Sequence, residues 1–186
     1  MRLCIRANRF TTITPDSKPL FKSDFSCSRI GSGKTYTMEG SSEHRGINVR
    51  ALTELFNVIG DRSETHAYAV SVSVVEIYNE MARDLLGNQS AGSLEVRQGA
   101  DGVHIPDLKQ KKVSSSAEVQ QLMAFAYTNR AVGSTNMNEH SSRSHCMLFV
   151  FINGTHKATD SQTCGKLILI DLAGSERVKK SEVLLL

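Results

Sequence analysis

Lysine and threonine beside glycine, and an aspartate that ends an apolar strand, are residue types that hold polyphosphate and a hard divalent cation. The 186-residue chain carries them in three places. The run SRIGSGKT, residues 28–35, ends in Gly31, Ser32, Gly33, Lys34 and Thr35, with Tyr36 following. Those positions fit the rear of the phosphate-loop pattern G-x-x-x-x-G-K-[ST], but Ser28 stands where the first glycine belongs. In such a loop the backbone N–H groups cradle phosphate oxygens, the lysine (here Lys34) reaches the β- and γ-phosphates, and the threonine hydroxyl (Thr35) binds Mg2+. Taken alone, the run also reads as a chance Gly-Ser-Gly-Lys-Thr in a flexible turn.

The second place is LILIDLAG, residues 167–174. An apolar strand ending in Asp171 puts a carboxylate at the sheet edge where open α/β folds bind ligands, suited to hold Mg2+ through water. Gly174 can offer its backbone N–H to a γ-phosphate. A plain strand followed by a capped turn has the same pattern. The third is NEHSSRSH, residues 138–145. Its hydroxyls can complete Mg2+ coordination and orient water, and Arg143 can pair with an acid such as Glu176. A solvated polar loop and a phosphorylation site are the other readings of it. His140 and His145 lack the further spacing of a metal site.

These groups need elements to position them. GKTYTM should open a helix after the glycines, and EGSSEHRG reads as loop. Residues 47–62 carry Val49, Leu52, Leu55, Phe56 and Ile59 at helical spacing. Residues 66–79, HAYAVSVSVVEIYN, read as a long and mostly buried strand. EMARDLL continues as a short helix or strand, and LEVRQGADGVHIPDL as a hairpin. A helix is expected over residues 114–132, with Ser115 as cap and Glu118 completing a capping box. Two strands close the series, HCMLFVFINGT and the one ending at Asp171. The mixture fits an α/β domain with a central sheet.

Composition bounds the rest. The length suffices for one domain with a core, and the net charge of +3 is too small to specify a partner. Cys4, Cys27, Cys146 and Cys164 show no metal or disulfide spacing and are expected to be reduced. No apolar run has the length of a membrane span, MRLCIRANRF lacks the apolar segment of a secretory signal, and no repeat is evident.

Together the three motifs resemble those of the kinesin motor domain. GSGKTYTMEG looks like the end of its phosphate loop, NEHSSRSH like its first switch, and DLAGSER like its second. VVEIYNEMARDLL and NRAVGSTNMNEHSSRSH are similar to the passages between them, so the likeness runs from about Gly31 to about Val183. DLAGSERVKKSEV leans towards the C-terminal-motor subfamily. The resemblance implies a P-loop NTPase sheet with flanking helices, binding ATP and Mg2+ and hydrolysing ATP in the service of microtubule-based movement. It implies Lys34 on the β/γ-phosphates, with Gly31, Ser32, Gly33, Thr35 and Tyr36 around the nucleotide. Thr35 and Ser142 are implied as Mg2+ ligands, and Asp171 as one through water. Asn138 and Ser141 are implied near the γ-phosphate and its water, and Gly174 as the γ-phosphate sensor. Arg143 and Glu176 are implied as a salt bridge that closes the site, with Glu176 relaying a proton. Microtubules are the implied partner, in the cytoplasm and its cytoskeleton, with Lys109, Lys111 and Lys112 as candidate contacts. No nucleic acid and no membrane span are expected.

The departures carry expectations of their own. Ser28, Arg29 and Ile30 replace the family's Gly-Gln-Thr, at a cost of about 1–2 kcal/mol wherever a positive φ is required. Residues 1–27 are unassigned, 28–183 read as a partial motor domain lacking N- and C-terminal elements, and 184–186 as an apolar tail. Without the strand that feeds the phosphate loop, LILI should present an unpaired apolar edge and the fold should be marginal; a cooperative, high-midpoint urea melt would refute that. A truncated, non-catalytic chain is the rival reading. A non-motor GTPase is disfavoured, because no N-K-x-D motif is present.

Overall fold

The computed structural model describes residues 11–12, 34–41, 43–88, 92–99, 102–132 and 144–173. The elements in chain order are β1 (Thr11–Thr12), α1 (Lys34–Glu39), α2 (Ile47–Asp61), β2 (His66–Tyr78), β3 (Met81–Asp84), β4 (Arg97–Gly99), β5 (Gly102–His104), β6 (Lys111–Val113), α3 (Ser116–Val132), β7 (Ser144–His156) and β8 (Gln162–Asp171).

Two long strands, β2 and β7, form the spine of the sheet. They pair antiparallel over their full length, from His66 opposite His156 to Tyr78 opposite Ser144. The sheet order is β1-β8-β7-β2-β3, and β6 pairs with β2 beside Val70–Val72. Alternate residues sort the two faces. Val70, Val72 and Val74 of β2, Leu148, Val150 and Ile152 of β7, and Leu167 and Leu169 of β8 meet Leu52 and Leu55 of α2 and Val119, Met123 and Ala126 of α3 in the main core. On the opposite face Val75, Ala82 and Phe149 form a smaller cluster under Ile105 and Leu108. No helix among the described residues is long and apolar enough to cross a membrane.

The helical periodicity of residues 47–62 and 114–132 becomes α2 and α3. Ser115 Oγ accepts the Glu118 N–H at 3.2 Å. The Glu118 carboxylate, however, reaches back to Ser114, accepting its N–H at 2.8 Å and its hydroxyl at 2.7 Å, so the box closes one residue earlier than expected. EMARDLL resolves as strand β3 followed by a turn. Asn79 and Glu80, at φ 49° and 63°, make the two-residue turn that folds β3 onto β2.

Every pairing among the described strands is antiparallel. The rule for parallel α/β sheets therefore does not apply to these strands. Asp171 at the end of β8 stands instead beside the start of β7 and the end of β2. Whether LILI presents the expected unpaired edge turns on residues 13–33, which lie outside those described. β1 covers β8 at Thr163–Cys164, whereas among the described residues Leu167–Ile170 pair only with β7. Leu167 and Leu169 are nonetheless buried, because α2 and α3 cover that face.

Candidate nucleotide site

The junction of α1 and β8 brings the first two motifs together. Lys34 and Thr35 open α1, which packs against both α2 and β8. Met38, on its buried side, is 2% exposed. Gly40 ends the helix at φ +77°, its N–H donating to Tyr36 O at 2.7 Å. A Cβ there would collide with backbone atoms of His44 and Gly46, so glycine is required to turn the chain out of α1. Tyr36 lies on the outer side of the helix, 58% exposed.

Asp171 is the last residue of β8 and is buried. Strand register fixes its neighbours. Glu76 of β2 lies opposite Cys146 of β7, and Cys146 lies opposite Asp171, so the three make one row across the helix-facing side. Above the row stand Glu39 from α1 and Tyr127 and Arg130 from α3. Burial raises the Glu39 carboxyl, against the pull of a hydrogen bond from Tyr127, and Asp171 raises it further. Burial likewise drives the Tyr127 hydroxyl far up, and holds the Cys146 thiol at about 12. Both groups stay protonated at neutral pH.

His145 links the two switch-like motifs. Its Nδ1 accepts the Ala173 N–H at 3.0 Å. Burial lowers its pKa, with Asp171 opposing and Arg130 assisting. The ring is thus neutral at pH 7 and carries its proton on Nε2. The residue before the DLAG glycine and the last residue of NEHSSRSH are tied together through one imidazole.

Several candidates lie outside the described residues: Gly31, Ser32 and Gly33 of the phosphate loop, Asn138, Ser141, Ser142 and Arg143 of the first switch, and Gly174 and Glu176 of the second. The proposed Arg143–Glu176 bridge falls there, as do the departures at Ser28–Ile30 and the thiols of Cys4 and Cys27. Cys146 and Cys164 are free. Lys109, Lys111 and Lys112 are exposed on and just before β6, on the sheet edge away from β8.

Sequence reasoning did not assign roles to Glu39, Glu76, Tyr127, Arg130, Ser144 or His145. The one signal was Glu76 itself, a carboxylate inside the apolar run VSVVEIY.

The donor set suits Mg2+. It is oxygen-based, as that cation prefers, and a buried carboxylate closes the strand that packs on the phosphate-loop helix. Among the described residues no three His, Cys, Asp or Glu side chains gather as a set for a transition metal.

Comparison with known proteins supplies the family. The chain is 46% identical over 161 residues to the kinesin-like protein KIN-14E of Oryza sativa subsp. japonica, covering 86% of this chain and 15% of that protein. It is 46% identical over 162 residues to KIN-14R of Arabidopsis thaliana and 48% identical over 164 residues to KIN-14R of Oryza sativa, covering 86% and 85% of this chain. It spans 15% and 16% of those two proteins. The solved structure of a fast kinesin, described for its ATPase mechanism and interactions with microtubules, superposes with a TM-score of 0.74 at 39% identity, over 81% of this chain and 44% of that one. Residues 25–184 match the kinesin motor domain. With the phosphate-loop helix, the switch-like motifs and the sheet in that order, this chain belongs to the kinesin motor-domain family.

Proposed function

We propose that this chain binds ATP with Mg2+ at the junction of α1 and β8 and hydrolyses it as a microtubule-motor ATPase. The observation that supports this most directly is the packing of α1, opened by Lys34 and Thr35, against the strand that ends in buried Asp171. Gly31, Ser32 and Gly33 offer backbone N–H groups to the phosphates, Lys34 neutralises the β- and γ-phosphates, and Tyr36 flanks the nucleotide. Thr35, Ser142 and, through water, Asp171 are the residues that would hold Mg2+. When bound, the cation neutralises phosphate charge as a Lewis acid.

Asn138 and Ser141 orient a water in line with the γ-phosphate, and Gly174 donates its N–H to a γ-phosphate oxygen. The water oxygen forms the new bond to phosphorus while the bond to the β–γ bridging oxygen breaks, leaving ADP and inorganic phosphate. The proton leaves by way of Glu176, which Arg143 holds in place. Lys109, Lys111 and Lys112 meet the acidic tubulin surface, and the chain acts on the microtubule cytoskeleton of the cytoplasm.

A second reading, a non-catalytic chain, is favoured by Ser28, Arg29 and Ile30 in the front of the phosphate loop. Titration with a fluorescent ATP analogue, with and without Mg2+, separates the two. Phosphate release is then measured with and without microtubules. Micromolar binding and microtubule-stimulated release are expected for the motor ATPase. Binding no tighter than millimolar leaves the non-catalytic reading, and release that microtubules do not stimulate removes the motor coupling.

A further inference from the structure

The last two turns of α3 make a different tie from each of three residues. Tyr127 hydrogen-bonds Glu39 of α1. Asn129 Nδ2 donates to Leu85 O at 2.9 Å. Arg130 reaches Glu76 and Ser144. Its Nε lies 3.2 Å from Glu76 Oε1 and 3.0 Å from Ser144 Oγ. Its Nη2 donates to Ser144 Oγ at 2.7 Å and to Ser144 O at 3.3 Å. Ser144 Oγ in turn donates to Glu76 Oε1 at 2.8 Å. The Glu76 and Arg130 side chains are only 2% and 12% exposed.

Ser144 is the first residue of β7 and directly follows Arg143. Residues 133–143 connect α3 to it. Arg130 therefore grips the chain just after the 133–143 connection from a position just before it. It holds Ser144 by hydroxyl and carbonyl together, anchored on a carboxylate in the same row as Asp171. A buried ion pair is a poor way to add stability, since an apolar replacement is often neutral or better. What a forked, charge-assisted contact does well is fix one geometry.

We propose that Arg130, acting through Ser144 and anchored by Glu76, is a positioning residue for the Mg2+-nucleotide site. It sets where the segment bearing Ser141 and Ser142 joins the sheet. The inference rests on the ATP-site reading above. Arg130 itself touches no phosphate, and its contribution passes through the backbone at Ser144.

The test uses the full chain and a fluorescent N-methylanthraniloyl-ATP probe, titrated in Mg2+ and again in EDTA. Arg130→Lys keeps the charge but loses the fork, and Ser144→Ala removes the shared hydroxyl. The expected result is an EDTA affinity within about twofold of the unsubstituted chain, with the Mg2+ enhancement of binding cut roughly tenfold by Arg130→Lys and severalfold by Ser144→Ala. Thermal midpoints are recorded in parallel. A merely structural role lowers the midpoint and weakens both affinities together, and that outcome overturns the proposal. So does an undiminished Mg2+ enhancement in both variants. If Arg130→Lys does not fold, Ser144→Ala decides by the same criteria. Should the unsubstituted chain itself bind no probe in either buffer, the ATP-site reading falls first and this proposal with it, a result distinct from a failure confined to the variants.

Discussion

Asp84 closes the β2–β3 hairpin onto the rest of the domain, and replacing it isolates the strength of that closure. Oδ1 accepts the Leu86 N–H at 2.8 Å and the Gly87 N–H at 3.0 Å. Oδ2 accepts the Lys109 N–H at 2.8 Å, tying the turn to the segment that leads into β6. A Cβ on Gly87 would lie 2.7 Å from Asp84 Oδ2, so the turn is wrapped closely around the carboxylate. Asp84→Ala strands two part-buried donors at about 1 kcal/mol each; the exposed Lys109 amide turns to water and loses roughly 0.5 kcal/mol. The sum, about 2–3 kcal/mol, lowers the thermal midpoint by roughly 5–10 °C for a domain of this size. Asp84→Asn keeps an oxygen for Leu86 and Gly87 but turns an N–H towards the Lys109 donor, so the loss falls to about 1 kcal/mol. Urea melts followed by circular dichroism measure both variants, and hydrogen exchange at Lys109 reports the broken tie directly. If Asp84→Ala lies within about 0.5 kcal/mol of the unsubstituted chain, or if Asn costs as much as Ala, the account of this turn is wrong.

Three further outcomes follow from the structure. Glu80→Gly relieves a left-handed residue in the β2–β3 turn and should stabilise the chain by about 0.5–1 kcal/mol in the same melts, whereas Glu80→Val should destabilise it. Iodoacetamide at pH 8, mapped by mass spectrometry, should modify exposed Cys164 in the folded chain and Cys146 only on unfolding. Since burial raises the Cys146 pKa, the stability linked to it is full below the unfolded value and is lost as pH climbs towards about 12. Glu39 is raised by burial in the same sense, so its contribution is full below its ordinary value of 4.5 and is lost as pH rises through the folded value. Glu39→Gln does not titrate and should therefore gain on the unsubstituted chain between pH 4 and pH 7, by thermal melts at each pH. An unchanged difference across that range would show that Glu39 is not desolvated as described.

Local signals carried much of the fold. The spacing of Leu52 and Leu55 drew α2, the Ser115–Glu118 pair drew the start of α3, and the valines of β2 drew a buried strand, because each depends on residues within one or two turns of chain. EMARDLL stayed ambiguous for the opposite reason. A run that short fits either period, and what made it a strand was the turn at Asn79–Glu80 together with pairing to β2. Sheet direction was equally out of reach, since it depends on which distant strands meet.

The sequence by itself determined the chemistry this protein can offer: Lys34 and Thr35 after glycine, the serines of NEHSSRSH, and Asp171 at the end of an apolar run. Only the tertiary structure decided which groups stand behind them. Glu76 and Arg130 lie 54 positions apart, and Glu76 and Ser144 lie 68 apart. They meet because β2 and β7 pair in one register, and a slip of β2 by a single residue would turn Glu76 to the face away from Cys146 and Ser144. Buried charge tolerates no such slip, so the cross-strand register that sets the core also sets the row beneath Asp171.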